Sequence, residues 1–265
     1  MAEISRGQQL FLQKRKRQQH WITAARILLF LAFLILWEGA ARADLIDAFI
    51  FSSPSRVYDT FVDMLQSGEL FLHVGSTLME TLISFLLVIL FSLLISVLLW
   101  LSPALSRILE PYLVILNSLP KSALAPLLIV WLGANQRTIV VAGMSVAIFG
   151  SILTIYTGFS QVSSEKIKLI YTLRGTRLDV LTKVVLPSSI PIFINTMKVN
   201  IGLCLVGVVI GEFIGSRQGL GYLIIYGSQV FKLDWVIMSI VLLCIMALGL
   251  YSLIQLLEKW YQKRI

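Results

Sequence analysis

The sequence predicts an all-α, polytopic membrane protein with six transmembrane helices, and three observations carry that fold class. The chain of 265 residues has a mean hydropathy of +0.87 and only 14% charged residues, whereas soluble domains carry about 25%. Six apolar windows recur, at 21–41, 82–101, 112–132, 138–159, 190–213 and 235–257. Each can cross ~30 Å of hydrocarbon at ~1.5 Å per helical residue. Period-two alternation is absent from them, so a helical bundle is expected and not a barrel.

The segment 1–26 is read as a basic cytoplasmic lead and 27–265 as one six-helix domain. With 1–26 inside, the inner segments are 1–26, 102–110, 160–189 and 258–265. They hold Arg6, Lys14, Arg15, Lys16, Arg17, Arg26, Arg107, Lys166, Lys168, Arg174, Arg177, Lys183, Lys259, Lys263 and Arg264. The outer segments hold only Arg42, Arg56, Arg137, Arg217 and Lys232. This bias is the positive-inside rule and places both termini in the cytoplasm. It also makes the net charge of +8 an orientation signal at a lipid surface, with no nucleic acid as partner. The run ILLFLAFLILW before Ala41-Arg42-Ala43 imitates a cleavable signal peptide, but its length suits a retained span.

Between the first two windows, Ser53-Pro54 reads as a helix start, Ser at the N-cap and Pro in the first turn. Val57, Phe61, Met64 and Leu65 form an apolar stripe for a short helix on the outer surface, and Gly68 ends it. Cys204 and Cys244 sit alone in separate windows and read as apolar packing residues. The histidines, His20 and His73, fall on opposite sides of the membrane and share no site. There is no Gly-Lys pair for a P-loop, no H-E-x-x-H and no G-x-S-x-G. The chain is therefore not expected to be an enzyme, nor to bind a metal or cofactor itself.

The long inner connection, KLIYTLRGTRLDVLTKVVLPSSIP (168–191), reads as a helix, a break and a second helix. Ser163 or Ser164 caps the first, with Ile167, Ile170 and Tyr171 on one face. Gly175 supplies a permissive backbone for the helix end, and Thr176 with Asp179 forms a capping box. Leu178, Leu181 and Val185 give the second helix an apolar face, which Pro187 stops before the next window. Two amphipathic pieces at a sharp break have the form of a docking element.

Within the windows, polar groups are costly and mark functional candidates. These are Asn117, Ser118 and Lys121 in the third window, Asn195, Lys198 and Asn200 in the fifth, and Glu212 near its outer end. Pro120 and Pro126 should interrupt backbone hydrogen bonding around Lys121. Lys121 or Lys198 suits an anionic solute, while snorkelling or pairing with Glu212 is the structural alternative. Glu212 stands ~20 Å from Lys198 along a straight helix, too far to pair with it. Gly207, Gly211 and Gly215 mark close helix contact, within one chain or between two copies.

LILWEGA followed by FSSPSRVYDTF, SLPKSALAPLLIVWLG at 118–133 and VVIGEFIGSRQGLGYLI at 208–224 resemble, in order and spacing, bacterial ABC-importer permeases of the nitrate/sulfonate/taurine type. VVLPSSIP after a short basic helix resembles their cytoplasmic loop. That family's Glu-Ala-Ala triplet is absent, falling on Lys168, Leu169 and Ile170; its Gly falls on Arg174, one residue before Gly175. The resemblance implies the ABC type I importer permease fold, with six helices per subunit in the bacterial inner membrane. Its implied partners are a second copy of the chain, two cytoplasmic ABC ATPases holding ATP and Mg, an external binding protein and membrane lipid. On that likeness Tyr171, Thr172, Leu173, Arg174, Gly175, Thr176 and Arg177 couple to the ATPase. The solute is expected to be a small anion or related solute, such as a sulfonate, taurine or nitrate. A self-sufficient secondary transporter or channel is the alternative, with intramembrane Lys and Glu carrying coupling ions.

Overall fold

A computed structural model describes residues 6–262 of the chain; Lys263 and Arg264 of the charge pattern lie outside the described residues. Helix α1 (Arg6–Arg42) carries the basic lead and the first apolar window without a break. Its apolar part is unburied by the rest of the chain. Near its far end Glu38 accepts hydrogen bonds from Ser55 N and Oγ, both at 3.0 Å. After the one-turn α2 (Ala48–Phe51) comes α3 (Pro54–Ser67), capped by Ser53 and ended by Gly68 in left-handed geometry. Val57, Phe61 and Met64 pack inward as expected, but Leu65 faces out.

Helix α4 (Glu69–Leu101) begins well before the window at 82. Its first turns carry His73, Thr77 and Glu80, which lower hydropathy yet are buried against the protein. A hydropathy window registers their polarity and not the protein neighbours that bury them.

The third window is two helices, α5 (Pro103–Ser118) and α6 (Lys121–Leu132), bent by 98°. The break falls at Leu119-Pro120, because proline has no N–H to donate and crowds the preceding turn. Pro126 sits inside α6, where it removes one backbone donor without ending the helix. Five described helices are individually long and apolar enough to cross a membrane, and the bent pair makes a sixth.

Helix α7 (Gln136–Ser160) is the centre of the bundle. It runs parallel to α4, with Ser84 Oγ donating to Val140 O and Ser96 Oγ to Ile152 O, both at 3.0 Å. The hinge follows as α8 (Ser164–Thr172) and α9 (Arg177–Val180). A π-helical turn, Leu181–Val185, then leads directly into α10 (Leu186–Gly215). Pro187 was expected to stop the second hinge helix; instead the helical path is continuous. Leu186 N reaches back five residues to Leu181 O. The wider π turn makes room for the proline ring, which would clash with the carbonyl four residues back in an α-helix. Helix α10 lies antiparallel against α7. A Cβ at Gly207 would fall 2.8 Å from Gly143 Cα, and one at Gly211 3.2 Å from Ile139 Cα, so these glycines serve contact within the chain. Gly215 meets Ile129 of α6 instead. The chain ends with α11 (Leu220–Gln229) and α12 (Leu233–Gln262). Phe85, Val88, Ala147, Ile201, Cys204, Leu250 and Ile254 close the central core across α4, α7, α10 and α12.

Candidate translocation pocket, hinge and clasp

Midway along α7 and α10, and beneath the end of α5, lies a pocket of about 410 Å³. It brings together Asn117, Asn195 and Asn200, with Ser151, Thr154 and Thr196 beside them. Asn200 Nδ2 donates to Ser151 Oγ at 2.8 Å. The Thr154 and Thr196 hydroxyls donate to carbonyls of their own helices, both at 2.8 Å, leaving acceptor lone pairs for the pocket. Gly150 lets Asn117 approach, since a Cβ there would lie 3.1 Å from Asn117 Oδ1. The result is an uncharged polar patch on an open face of the bundle, with Ser151, Thr196 and Asn200 buried at its base and Asn117 and Asn195 exposed at its rim.

The other four candidates are placed elsewhere. Ser118 Oγ donates to Val114 O at 2.9 Å. Lys121 Nζ donates to Leu116 O at 2.6 Å and lies 5.2 Å from the centre of the Phe149 ring. It caps the negative carbonyl end of α5 just after the break, where a cation is favoured. Lys198 is ion-paired with Glu258 of α12, a partner sixty residues on that the sequence reading did not consider.

Glu212 has no exposed surface and belongs to a second constellation, at the end of the bundle opposite the hinge. Its Oε2 accepts from Gly221 N at 2.6 Å, and its Oε1 accepts from Thr77 Oγ1 at 2.7 Å. Thr77 Oγ1 in turn accepts from Leu220 N at 2.8 Å, and His73 Nδ1 accepts from Gly219 N at 3.1 Å. Three successive backbone N–H groups are thus held by side chains of α4 and α10. A Cβ at Gly219 or Gly221 would fall 2.2 or 2.7 Å from the Glu212 carboxylate, and Gly219 has φ +107°. Thr77 and Glu80 are not among the sequence candidates, and His73 is noted there only as sharing no site with His20, because all three fall before the window at 82. Their i, i+4, i+7 spacing was the available signal. Among the described residues no group of three or more His, Cys, Asp or Glu could hold a metal.

At the hinge, α8 closes with two bonds, Gly175 N to Ile170 O and Arg174 N to Tyr171 O, both 2.9 Å. This is the Schellman pattern, but its left-handed residue is Arg174, at φ 60°, and not Gly175. Gly175 is required for space: a Cβ there would lie 2.4 Å from Ile170 Cγ2 and 2.9 Å from Ile170 O. The capping box forms as read, with Thr176 N donating to Asp179 Oδ2 at 2.9 Å and Asp179 N to Thr176 Oγ1 at 3.3 Å. Ile167 and Ile170 pack onto the cluster of Ile155, Phe159, Val180, Leu181 and Val185. Tyr171 and Leu178, expected on those faces, are instead exposed, with Leu169 and Leu173. Thr172 Oγ1 donates to Lys168 O at 3.0 Å. Arg177 Nη2 donates to Trp100 O at 2.8 Å, its guanidinium 5.4 Å from the centre of the Trp100 ring. The hinge is therefore braced against the end of α4 and carries apolar side chains outward.

Residues 95–265 match the family described as the binding-protein-dependent transport system inner membrane component, and the chain belongs to it. A probable ABC transporter permease of Haemophilus influenzae is 30% identical, over 82% of this chain and 88% of its own length. A putative aliphatic sulfonates transport permease of Bacillus subtilis is 25% identical, over 88% of this chain and 84% of its own. Among solved structures, a methionine ABC transporter in an inward-facing conformation superposes with a TM-score of 0.61. It shares 19% identity, over 70% of this chain and 92% of the matched one. The protein is thus an ABC-importer permease by family and by fold.

Proposed function

We propose that two copies of this chain form the path of an ATP-driven importer for a small polar solute, powered by two ABC ATPases and supplied by an external binding protein. The observation that carries the reading is the hinge. Leu169, Tyr171 and Leu173 project from a segment fixed to the core by Ile167, Ile170 and Arg177. Apolar side chains held outward on a braced turn form an anchor that a partner's groove can grip and push. Residues 171–177 are the coupling element, and the hinge end faces the cytoplasm with both termini. The path runs through the pocket of Asn117, Asn195 and Asn200. Support for an anionic solute rested on Lys121 and Lys198, and both ammonium groups already have partners within the chain.

Co-purification with the ATPase and hydrolysis in reconstituted membranes test the coupling. Tyr171→Ala should weaken ATPase binding about 30-fold, the effect of losing an anchor worth ~2 kcal/mol. Arg177→Ala should weaken it less, because that side chain engages Trp100. Wild-type association in Tyr171→Ala, or transport by this chain alone, would overturn the reading. Orientation is checked separately. A cysteine at Gln66 should react with an impermeant thiol reagent from outside, and one at Thr182 only after permeabilisation; the reverse pattern defeats the assignment.

A further inference from the structure

A second polar pocket, also about 410 Å³, opens at the clasp end of the bundle. Asn135 and Gln136 wall one side, and Ser216, Arg217 and Gln218 wall the other. It stands above the mid-membrane pocket along the same two helices. Gly215, in its lining, is ~22 Å from Asn200 at ~1.5 Å per residue of α10. The wall 216–218 is held at its start by Ser216 N donating to Glu212 O at 3.3 Å. Within the loop Ser216 Oγ donates to Gln218 O at 2.6 Å and accepts from Gln218 N at 3.1 Å, and Ser76 Oγ donates to Gln218 Oε1 at 3.2 Å. Its far end is fixed from the next residue on, where Gly219, Leu220 and Gly221 meet His73, Thr77 and Glu212.

These three N–H groups open α11, which has no side-chain N-cap of its own. A helix start normally satisfies such donors locally. Here the caps come from α4 and α10, so the wall keeps its shape only while those helices stay together at this end.

We propose that Glu212, Thr77 and His73 are positioning residues for solute passage: they hold residues 216–218 as one wall of an outer mouth leading to the mid-membrane pocket. The inference rests on the importer reading. It moves Glu212 from the path itself to the support of the path's opening.

The test uses the full complex with its ATPase in membrane vesicles, in a Cys204→Ala, Cys244→Ala background. One set carries Arg217→Cys, a second Asn195→Cys, and the probe is a small impermeant methanethiosulfonate applied from outside, with ATP and vanadate. Thr77→Val keeps the side chain's shape and removes its hydroxyl. It should speed labelling at 217 and slow labelling at 195, each about fivefold, the order that one net hydrogen bond supports. Thr77→Ser should restore both rates, and Thr77→Val, although its thermal midpoint falls with the lost hydrogen bonds, should remain a folded, assembled complex at the assay temperature. Glu212→Gln should act in the same direction. An unchanged rate at 195, or loss of labelling only in step with loss of the folded complex, overturns the proposal. If the parent never exposes 195 from outside in any nucleotide state, the importer path itself fails and takes the mouth with it. Faster labelling at 217 would then report packing alone.

Discussion

The hinge and the clasp perform the same local task with different means. Each is a short turn between two helices, and each must satisfy backbone N–H groups that no helix pairs. At the hinge the partners come from the turn itself: Ile170 and Tyr171 carbonyls behind it, and Asp179 three residues ahead of Thr176. At the clasp two of the three come from far along the chain, His73 lying 146 residues from Gly219 and Thr77 143 from Leu220, and the third, Glu212, comes from the preceding helix, nine residues before Gly221. The self-contained turn leaves its apolar side chains free to face a partner protein. The borrowed one buries its polar groups and ties three helices together. A moving joint and a fastening differ in this way: in where the hydrogen-bond partners originate.

The largest effect is expected at the fastening. Gly219→Ala places a Cβ 2.2 Å from Glu212 Oε1 at a φ that alanine strains to adopt. Overpacking with backbone strain costs ~3 kcal/mol or more, and it should also strip caps from α11. A steep fall in thermal midpoint, measured in detergent or nanodiscs, is the expected result. A midpoint equal to wild type would show that the turn re-forms without the clasp, and would dissolve the contrast with the hinge.

Gly175→Val should do less to the whole protein and more to coupling. Its methyls would collide with Ile170 Cγ2 and with the Ile170 carbonyl, displacing α8 from α9 at a cost of ~2 kcal/mol. The bundle core, which is elsewhere, should stay folded and inserted. Stimulated ATP hydrolysis should be lost while the thermal midpoint changes little. If stability falls as far as in Gly219→Ala, the hinge is as much a fastening as the clasp.

The smallest change has the opposite sign. Arg174 holds a left-handed φ of 60°, a conformation that costs a non-glycine residue ~1 kcal/mol. Arg174→Gly removes that cost, partly offset by the greater freedom of glycine in the unfolded chain. A slight rise in midpoint is expected, with the Schellman bonds intact. A fall would mean that the arginine head group contributes more than its backbone costs.

How much of this was legible in the sequence divides along the same line. The capping box of Thr176 and Asp179, the Ser53 cap of α3 and the break at Pro120 were readable, because each is decided by residues within four positions of one another. The glycine rule was half readable. A glycine at the end of α8 was expected for its backbone freedom, but it is needed for the space beside Ile170, while the left-handed position went to its neighbour. The continuous helix through Pro187 was misread, because nothing local announces that a π turn will absorb the ring. The start of α4 was missed because hydropathy scores a buried threonine or glutamate as though it faced lipid.

By itself the sequence determined that this chain spans a membrane about six times, through helices of sufficient apolar length, and that it carries a charge asymmetry consistent with one orientation. It also determined the hinge, since turn chemistry acts over a few residues and apolar length acts through the solvent. Only the tertiary structure decided which intramembrane polar groups share a surface. Asn117, Asn195 and Asn200 converge on one pocket, Lys198 turns to Glu258, and Glu212 turns to Thr77 and the start of α11. Such pairings depend on the relative rotation and height of helices far apart in sequence. Those are set by the packing of small residues such as Gly143, Gly207 and Gly211, and not by the polar groups whose partners they select.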